Sequence, residues 1–258
     1  MGLQVAAATE TGRVRKHNED SYITGERMWA VADGMGGQAA GATASRIAIQ
    51  CLASYDTTGE IDQAGITGLV GHINDKILQY SAKHPKTLGM GTTLAGMALT
   101  KLGGLDHWLI FNIGDSRVYR LANGELRQET TDHSEVQELV DQGKIDQACA
   151  RTHPNRNILT RCLGTPQSPV VGMRVVPCQP GDKVLVCSDG LTTEVEDDKI
   201  GIVLRTAVDP REAVDTLIKE ALTNGGRDNI SIIVVEIDEE QEGLMEDTLP
   251  IAIMGDRS

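Results

Sequence analysis

The side chains best suited to chemistry in this sequence are aspartates that stand beside glycine or asparagine at predicted strand ends. Five short segments have this character: 18–20 (NED), 32–37 (ADGMGG), 114–117 (GDSR), 188–190 (SDG) and 226–229 (GRDN). A single segment of this kind would be an ordinary turn, because Asp and Gly are common turn residues. Their repetition along the chain needs another explanation, and a shared site that uses several carboxylates supplies one.

Carboxylates at the ends of core strands suit a hard divalent cation. Mg²⁺ and Mn²⁺ prefer oxygen ligands in octahedral geometry, and Gly34 lets a backbone carbonyl approach a metal beside Asp33. No Cys or His pair has the spacing typical of zinc. Two ions about 3.5 to 4 Å apart can activate a bridging water and stabilise charge on a phosphoryl group. Arg15, five residues before Asp20, could offer a bidentate fork to phosphate oxygens.

Competing phosphate chemistries fit the sequence less well. The stretch GMGGQA at 34–39 matches the dinucleotide pattern G-x-G-x-x-A, but Asp33 beside it would repel a pyrophosphate. A helical pattern at 61–83 also stands where the next parallel strand should begin. The sequence has no G-x-x-x-x-G-K-[ST] loop, no C-x5-R and no D-x-D near the first strand. A nucleotide loop, a cysteine phosphatase and a phosphoaspartate enzyme are therefore disfavoured.

Composition predicts a single soluble domain. The chain has 258 residues, of which 40% are hydrophobic and 24% charged, and this length can bury one large core. The formal net charge of −13 argues against binding to nucleic acid or to an anionic membrane surface. No secretory signal or membrane-length apolar run is present, and five scattered cysteines without a C-x-x-C spacing indicate reduced thiols. We expect a cytoplasmic monomer.

The pattern of elements predicts an antiparallel β-sandwich with helices outside it. Strand-like runs cover 28–32, 92–100, 107–113, 116–121, 170–176, 183–187 and 230–237. Helical periodicity is clearest at 39–55, 61–83 and 210–223. Asn123-Gly124 predicts a two-residue hairpin, because both positions tolerate positive φ, and consecutive hairpins indicate antiparallel pairing.

Two segments stand apart from this pattern. Residues 134–164 are polar and mixed in pattern, which predicts short helices and loop in a lid. The last residues, 239–258, begin with an acidic run and are expected to form a disordered tail. We therefore expect residues 1–238 to form the folded domain.

Six motifs in order resemble the metal-dependent protein phosphatases of the PP2C (PPM) family, particularly the small single-domain bacterial members. They are R-x-x-N-E-D at 15–20, ADGMGG at 32–37, MGTT at 90–93, GDSR at 114–117, CSDGL at 187–191 and GGRDN at 225–229. The resemblance covers nearly the whole folded chain. It implies an α+β fold, with a central antiparallel β-sandwich flanked by helices on both faces in four layers (αββα), and it matches 134–164 to the family's variable flap.

The resemblance also implies a division of roles around two Mn²⁺ or Mg²⁺ ions. Asp33 would bridge the ions, Asp189 and Asp228 would complete the shell of the first, and Asp20 and the carbonyl of Gly34 would serve the second. The remaining two roles fall to residues that follow the family pattern: Arg15 would receive the substrate phosphate, and Asp115, opposite Asp189, would hold a third, weaker ion.

One position departs from the family pattern. Many relatives carry a His soon after the DGMGG turn, as a candidate general acid, whereas this chain has Gln38. An amide cannot donate a proton at neutral pH, so a metal-bound water is the first candidate for that role. His133 and His153 are alternatives, although a structural role suits each of them better. Asp132 is interpreted as a helix cap, with a contact to the third metal ion as the alternative.

The leading functional hypothesis is hydrolysis of phosphoserine and phosphothreonine on proteins by a metal-activated water, without a covalent phosphoenzyme. The implied partners are phosphorylated proteins, namely a cognate bacterial Ser/Thr kinase and its substrates. The alternative is a catalytically silent member that binds phosphoproteins as a regulatory module. The intact set of four aspartates favours the enzyme, because a binding module does not need a complete metal set.

Overall fold

The computed structural model describes residues 2–36, 40–59 and 61–238. Within these ranges the chain forms eleven strands and seven α-helices. The strands are β1 (Leu3–Glu10), β2 (Asp20–Thr24), β3 (Met28–Met35), β4 (Gly91–Thr92), β5 (Leu94–Leu102), β6 (Leu105–Ile113), β7 (Arg117–Ala122), β8 (Glu125–Gln128), β9 (Gly172–Pro177), β10 (Lys183–Cys187) and β11 (Ile230–Ile237). The helices are α1 (Ala40–Thr58), α2 (Gln63–Lys83), α3 (Glu135–Asp141), α4 (Gln147–Thr152), α5 (Asp189–Thr192), α6 (Asp197–Thr206) and α7 (Pro210–Thr223).

The strands form two antiparallel sheets. The first has the order β1-β11-β10-β7-β8, and the second has the order β2-β3-β5-β6-β9, with β4 paired to β3. Neighbouring strands in both sheets are antiparallel. Helices α1 and α2 contribute to a core with the second sheet, and α6 and α7 contribute to one with the first. The predicted four-layer αββα architecture is confirmed.

Alternation along β3 shows how the sequence builds these layers. Met28, Ala30 and Ala32 belong to the core shared with α1 and α2, whereas Trp29 and Val31 belong to the core between the two sheets. Successive side chains of a strand point to opposite faces, so a strand buried on both faces is apolar at every position. In the inner core the rings of Trp29 and Trp108 meet edge to face, with their centroids 5.6 Å apart.

Most predicted elements are present, with shifted ends. The strand 183–187 and the helix 210–223 have the predicted bounds. The predicted hairpin turn is also present, with Asn123 and Gly124 both at positive φ. Strands β1 and β2 and helices α5 and α6 were not predicted from the sequence. Asp33 was predicted to follow its strand, whereas β3 continues to Met35 because its end pairs with β4.

Residues 134–164 contain two short helices, α3 and α4, as predicted. Their first turns are capped by Ser134, which accepts from the backbone N–H of Gln137, and by Asp146, which accepts from that of Cys149. The interpretation of Asp132 as a helix cap is therefore wrong. Its carboxylate instead accepts a bidentate pair of hydrogen bonds from Arg117.

No helix in the described ranges is long and apolar enough to cross a membrane. Gln38 and the predicted tail at 239–258 lie outside those ranges.

Candidate metal and phosphate site

Two of the predicted aspartates are direct neighbours on adjacent strands. Asp20 begins β2 and Asp33 lies near the end of β3, and the two residues face each other in the antiparallel register. Directly opposed residues of such a pair project to the same side of the sheet. The chain therefore brings together two carboxylates that are thirteen residues apart in sequence.

The other sheet supplies a second group of carboxylates. Asp189 starts α5 immediately after β10, and Asp228 lies two residues before β11, the strand that pairs with β10. Asp115 lies in the short connection from β6 to β7, where the chain passes from one sheet to the other. All five predicted aspartates consequently lie at one end of the sandwich.

A hydrogen bond across the two sheets joins these groups. Ser188 Oγ donates to Asp20 Oδ2 over 2.8 Å. Ser188 Oγ also accepts from the backbone N–H of Ser231 over 2.9 Å. Ser188 and Ser231 are completely buried. The end of β10 therefore holds the carboxylate that begins β2 in the opposite sheet.

Burial and mutual repulsion raise the pKa of these carboxylates. The pKa of Asp20 is raised to about 7 and that of Asp189 to about 6, in both cases first by desolvation. The pKa values of Asp33 and Asp115 lie well above the usual range, again first through burial and then through neighbouring carboxylates. A divalent cation among these groups would offset the repulsion.

The chemistry of these residues fits such an ion. Asp20 Oδ1 and Asp189 Oδ1 are buried and have no hydrogen-bond partner among the described residues. Buried polar atoms are normally satisfied, so two unpartnered carboxylate oxygens in one site indicate missing positive partners. No group of three His, Cys, Asp or Glu residues in the described ranges could hold an ion as it stands. Hydrogen bonds from Ser188 to Asp20 and from Arg15 to Asp228 hold these two carboxylates in the arrangement seen here.

Gly34 is constrained by close packing. A Cβ atom at this position would collide with the backbone of Gly41 in α1 and with the carbonyl oxygen of Glu19. Only glycine allows this approach of α1 to β3. Its carbonyl therefore belongs to a backbone segment fixed beside Asp33.

Arg15 lies at the rim of the carboxylate site. Its Nη2 is 2.6 Å from Asp228 Oδ2, and its side chain is 54% exposed. The predicted phosphate-binding group therefore contacts one of the predicted metal ligands in this structure. It still presents part of its guanidinium to solvent, where a substrate phosphate would arrive.

Asn229 fixes the loop that carries Arg15. Its Oδ1 accepts from the backbone N–H of Glu19, and its Nδ2 donates to the carbonyls of Thr11 and His17. Three hydrogen bonds from one side chain thus span the loop between β1 and β2. The GGRDN motif by itself does not reveal this role of its asparagine, because the three partners lie more than two hundred residues earlier in the chain.

Three hydroxyl groups in the MGTT and GDSR motifs position Asp33. Thr93 Oγ1 accepts from the backbone N–H of Asp33 over 3.0 Å, and Thr92 Oγ1 donates to its carbonyl over 2.9 Å. Ser116 Oγ lies 2.7 Å from Thr93 Oγ1. The sequence offered these residues only as parts of motifs, and their backbone partners become visible in the folded chain.

The two histidines considered as proton donors have structural contacts. His133 is buried, accepts from the backbone N–H of Gly114 at Nδ1, and has Arg161 Nη1 3.2 Å from its Nε2. Its pKa is lowered to about 4, first by burial and then by Arg161, so it is neutral at physiological pH. His153 Nδ1 accepts from the backbone N–H of Asn155 within 134–164.

The fold and this arrangement of carboxylates define the class of the protein. A family model described as protein phosphatase 2C matches residues 13–224. The chain belongs to the protein phosphatase 2C family. The predicted enzyme class, a protein-serine/threonine phosphatase, is confirmed at the level of the family.

Individual relatives agree with this assignment. The serine/threonine phosphatase stp of Listeria monocytogenes serotype 4b is 38% identical over 246 residues, which cover 91% of this chain and 96% of the relative. The serine/threonine protein phosphatase PstP of Mycobacterium tuberculosis is 38% identical over 98% of this chain, which spans 49% of that longer protein.

Solved structures share the fold. The crystal structure of the M. tuberculosis phosphatase PstP/Ppp superimposes with a TM-score of 0.83 at 38% identity, over 92% of this chain and 99% of that one. A structure of the PstP catalytic domain in complex with two manganese ions has a TM-score of 0.82 at 37% identity, over the same shares of the two chains.

Proposed function

We propose that this protein hydrolyses phosphoserine and phosphothreonine on phosphorylated proteins, with two divalent cations held by its aspartates. The observation that carries the proposal is the convergence of Asp20, Asp33, Asp189 and Asp228 from both sheets, with unpartnered buried oxygens between them. Phosphorylated proteins, including a cognate Ser/Thr kinase and its substrates, are the partners that this chemistry requires. A regulatory module that only binds phosphoproteins would not need a complete set of metal-binding aspartates.

Each residue receives a role within this proposal. Asp33 would contact both ions, Asp189 and Asp228 would hold the first, and Asp20 with the Gly34 carbonyl would hold the second. Asp115, whose carboxyl is buried near Asp189, holds a third, weaker ion. Mn²⁺ or Mg²⁺ is expected, because both favour carboxylate and carbonyl oxygens.

When bound, the cations supply an activated water and stabilise charge on the phosphoryl oxygens. The chain itself orients the substrate and holds the ligands. Arg15 turns from Asp228 towards the phosphate and offers its guanidinium fork. Thr92 and Thr93 keep the backbone of Asp33 in place, and Ser188 keeps Asp20 directed at the site.

The same proposal places the catalytic domain at 1–238, with 134–164 as a flap beside the site and 239–258 as an acidic tail. The boundary between the catalytic domain and the tail lies just after β11, which ends at Ile237.

The test is release of phosphate from a phosphothreonine peptide during titration with Mn²⁺ or Mg²⁺. Activity should require the metal, disappear with EDTA, and be lost in Asp33→Ala and Asp189→Ala. Asp115→Ala should retain activity but shift the metal titration. Arg127→Ala, which removes an exposed side chain paired with Glu125, is the control and should behave as wild type. Equal activity without metal would refute the mechanism, and binding of the peptide without hydrolysis would favour the regulatory module.

A further inference from the structure

A pocket of about 100 Å³ lies between the 134–164 segment and the carboxylate site. One wall contains Asp115 and Asp189. The lining also includes residues of α3 and α4 and of the segment after α4, among them Arg151 and Arg156. The pocket therefore adjoins the groups proposed to bind metal and has room for one short side chain.

Arg151 and Arg156 are the uncompensated cations of this pocket. Both are exposed, and neither forms an ion pair with an acidic residue in the described part of the chain. Arg117, which also lines the pocket, differs because its guanidinium is bound to Asp132 at 2.7 Å. In a chain with a net charge of −13, two arginines that line one pocket and donate, among the described residues, only to backbone carbonyls, Thr192 and His153, form a local site for an anion.

Arg151 is fixed relative to the catalytic wall. Its Nη2 donates to the carbonyl of Thr192 over 3.2 Å, and Thr192 is the last residue of α5, the single helical turn that begins with Asp189. The guanidinium is thus anchored one helical turn from a proposed metal ligand. A peptide with its phosphorylated residue at the carboxylate site would therefore bring the side chain of a neighbouring residue to this guanidinium.

The two aspartates in the wall do not cancel this preference. In the proposed function their charges are directed at the cations, so the pocket of the metal-loaded enzyme keeps the positive charge of the arginines. The inference therefore rests on that function. Arginine also suits carboxylate and phosphate equally, since its planar fork matches both.

We propose that Arg151 and Arg156 form a subsite for a second anionic group of the substrate, a carboxylate or phosphate on a residue near the phosphothreonine. The enzyme consequently prefers acidic phosphopeptides. Arg151 and Arg156 determine specificity in this scheme, while Arg15 and the aspartates act on the phosphate that is removed.

The test compares two phosphothreonine peptides of equal length, one with Gln on both sides of the phosphothreonine and one with Glu at the same places. The measured quantity is the ratio of kcat/KM for the Glu peptide to that for the Gln peptide, in Mn²⁺. Exposed ion pairs are individually weak, so we expect a ratio of about three to ten in the wild type. A lower KM for the Glu peptide should account for most of it, and added NaCl should reduce the ratio because salt screens exposed charges. A ratio within each variant cancels any general loss of activity.

The double variant Arg151→Gln/Arg156→Gln should lower this ratio below about two. Arg151→Lys and Arg156→Lys keep the charge and should retain part of the preference. Arg211→Gln is the matched control, because Arg211 is an exposed arginine that pairs with Asp215 on α7 and lines a different groove. Its ratio should equal that of the wild type.

Two results would overturn the inference separately from the proposed function. A wild-type ratio of one, or an unchanged ratio in the double variant, refutes the subsite while leaving hydrolysis intact. Failure of the wild type to hydrolyse either peptide in Mn²⁺ refutes the proposed function, and the subsite with it.

Discussion

Replacement of Ser188 by alanine tests the connection between the two sheets most directly. The hydroxyl is completely buried, donates to Asp20 Oδ2 and accepts from the backbone N–H of Ser231. Alanine removes both contacts and adds no bulk. The variant therefore measures what one hydrogen-bonded side chain contributes to the site.

The expected cost follows from the two partners. The N–H of Ser231 becomes an unpartnered buried donor, at about 1 to 3 kcal/mol, and Asp20 loses a hydrogen bond to a charged group worth about 1.5 to 3 kcal/mol. Ser231 also lowers the pKa of Asp20, so part of the stabilisation of that carboxylate is retained. We expect a total loss of about 2 to 4 kcal/mol in the free energy of unfolding. For a domain of this size that is a fall of roughly 4 to 16 °C in Tm.

The assay is thermal unfolding in EDTA, followed by a Mn²⁺ titration of phosphopeptide hydrolysis. The metal titration should shift to roughly tenfold higher Mn²⁺, because partners that orient a metal ligand typically change affinity by 10 to 100-fold. Ser54→Ala is the control, since its exposed hydroxyl donates only within α1, to the carbonyl of Gln50, and its Tm should stay near that of the wild type. A Ser188→Ala protein with a Tm within 2 °C of the wild type would refute this account.

Three further predictions follow from other contacts of the site and the core. Asn229→Ala removes three hydrogen bonds from the loop that carries Arg15. The KM for a phosphopeptide should therefore rise about tenfold, a change of about 1.4 kcal/mol. An unchanged KM with a lowered Tm would mean that Asn229 only stabilises the fold. The pKa of His133 is lowered to about 4 in the folded chain, so the unfolded chain binds the extra proton as pH falls from 6.5 towards 4. The contribution of His133 to the free energy of unfolding should then fall by about 2 kcal/mol over that window, less than the full shift implies because solvent screens part of it. The raised pKa values of Asp20 and Asp189 act in the opposite direction, since the folded chain takes up those protons as pH falls. Urea unfolding therefore compares the wild type with His133→Gln at both ends of the window: the difference between their free energies of unfolding should change by about 2 kcal/mol, and an unchanged difference would contradict the prediction. Trp108→Ala empties the centre of the sandwich, where Trp108 meets Trp29 edge to face, and should cost about 3 to 5 kcal/mol in urea unfolding; a loss below about 1 kcal/mol would show that the core refills the space.

Local patterns predicted much of the fold because they depend on neighbouring residues. The hairpin at Asn123-Gly124 was predictable, since the two-residue turn requires positive φ at both positions. The helix at 210–223 was predictable from Asp209, which caps it by accepting from the backbone N–H of Glu212. β1 was missed because its exposure alternates poorly, with several exposed positions in eight residues.

Asp132 shows where local reasoning fails. Its position before a helical pattern suggested a cap, but Ser134 caps α3 and Asp132 binds Arg117, fifteen residues earlier. A carboxylate takes whichever donor the folded chain brings closest. A charge-assisted bidentate pair is stronger than a neutral cap contact, so the long-range partner prevails.

The sequence by itself determined the chemistry of the site. Aspartates beside glycine, the absence of zinc spacing and the order of six motifs were enough for the family and the fold, both of which are confirmed. These features are types and spacings of residues, and the chain carries them before it folds. The roles given to individual ligands remain proposals.

The tertiary structure decided which groups meet. The register of β2 with β3 set Asp20 against Asp33, the packing of the two sheets brought Ser188 to Asp20, and α4 placed Arg151 beside Thr192. Such contacts depend on burial of apolar faces that lie far apart in the chain, because that burial dominates folding and fixes sheet register. No local spacing encodes them, and the pocket lined by Arg151 and Arg156 is therefore visible only in the folded molecule.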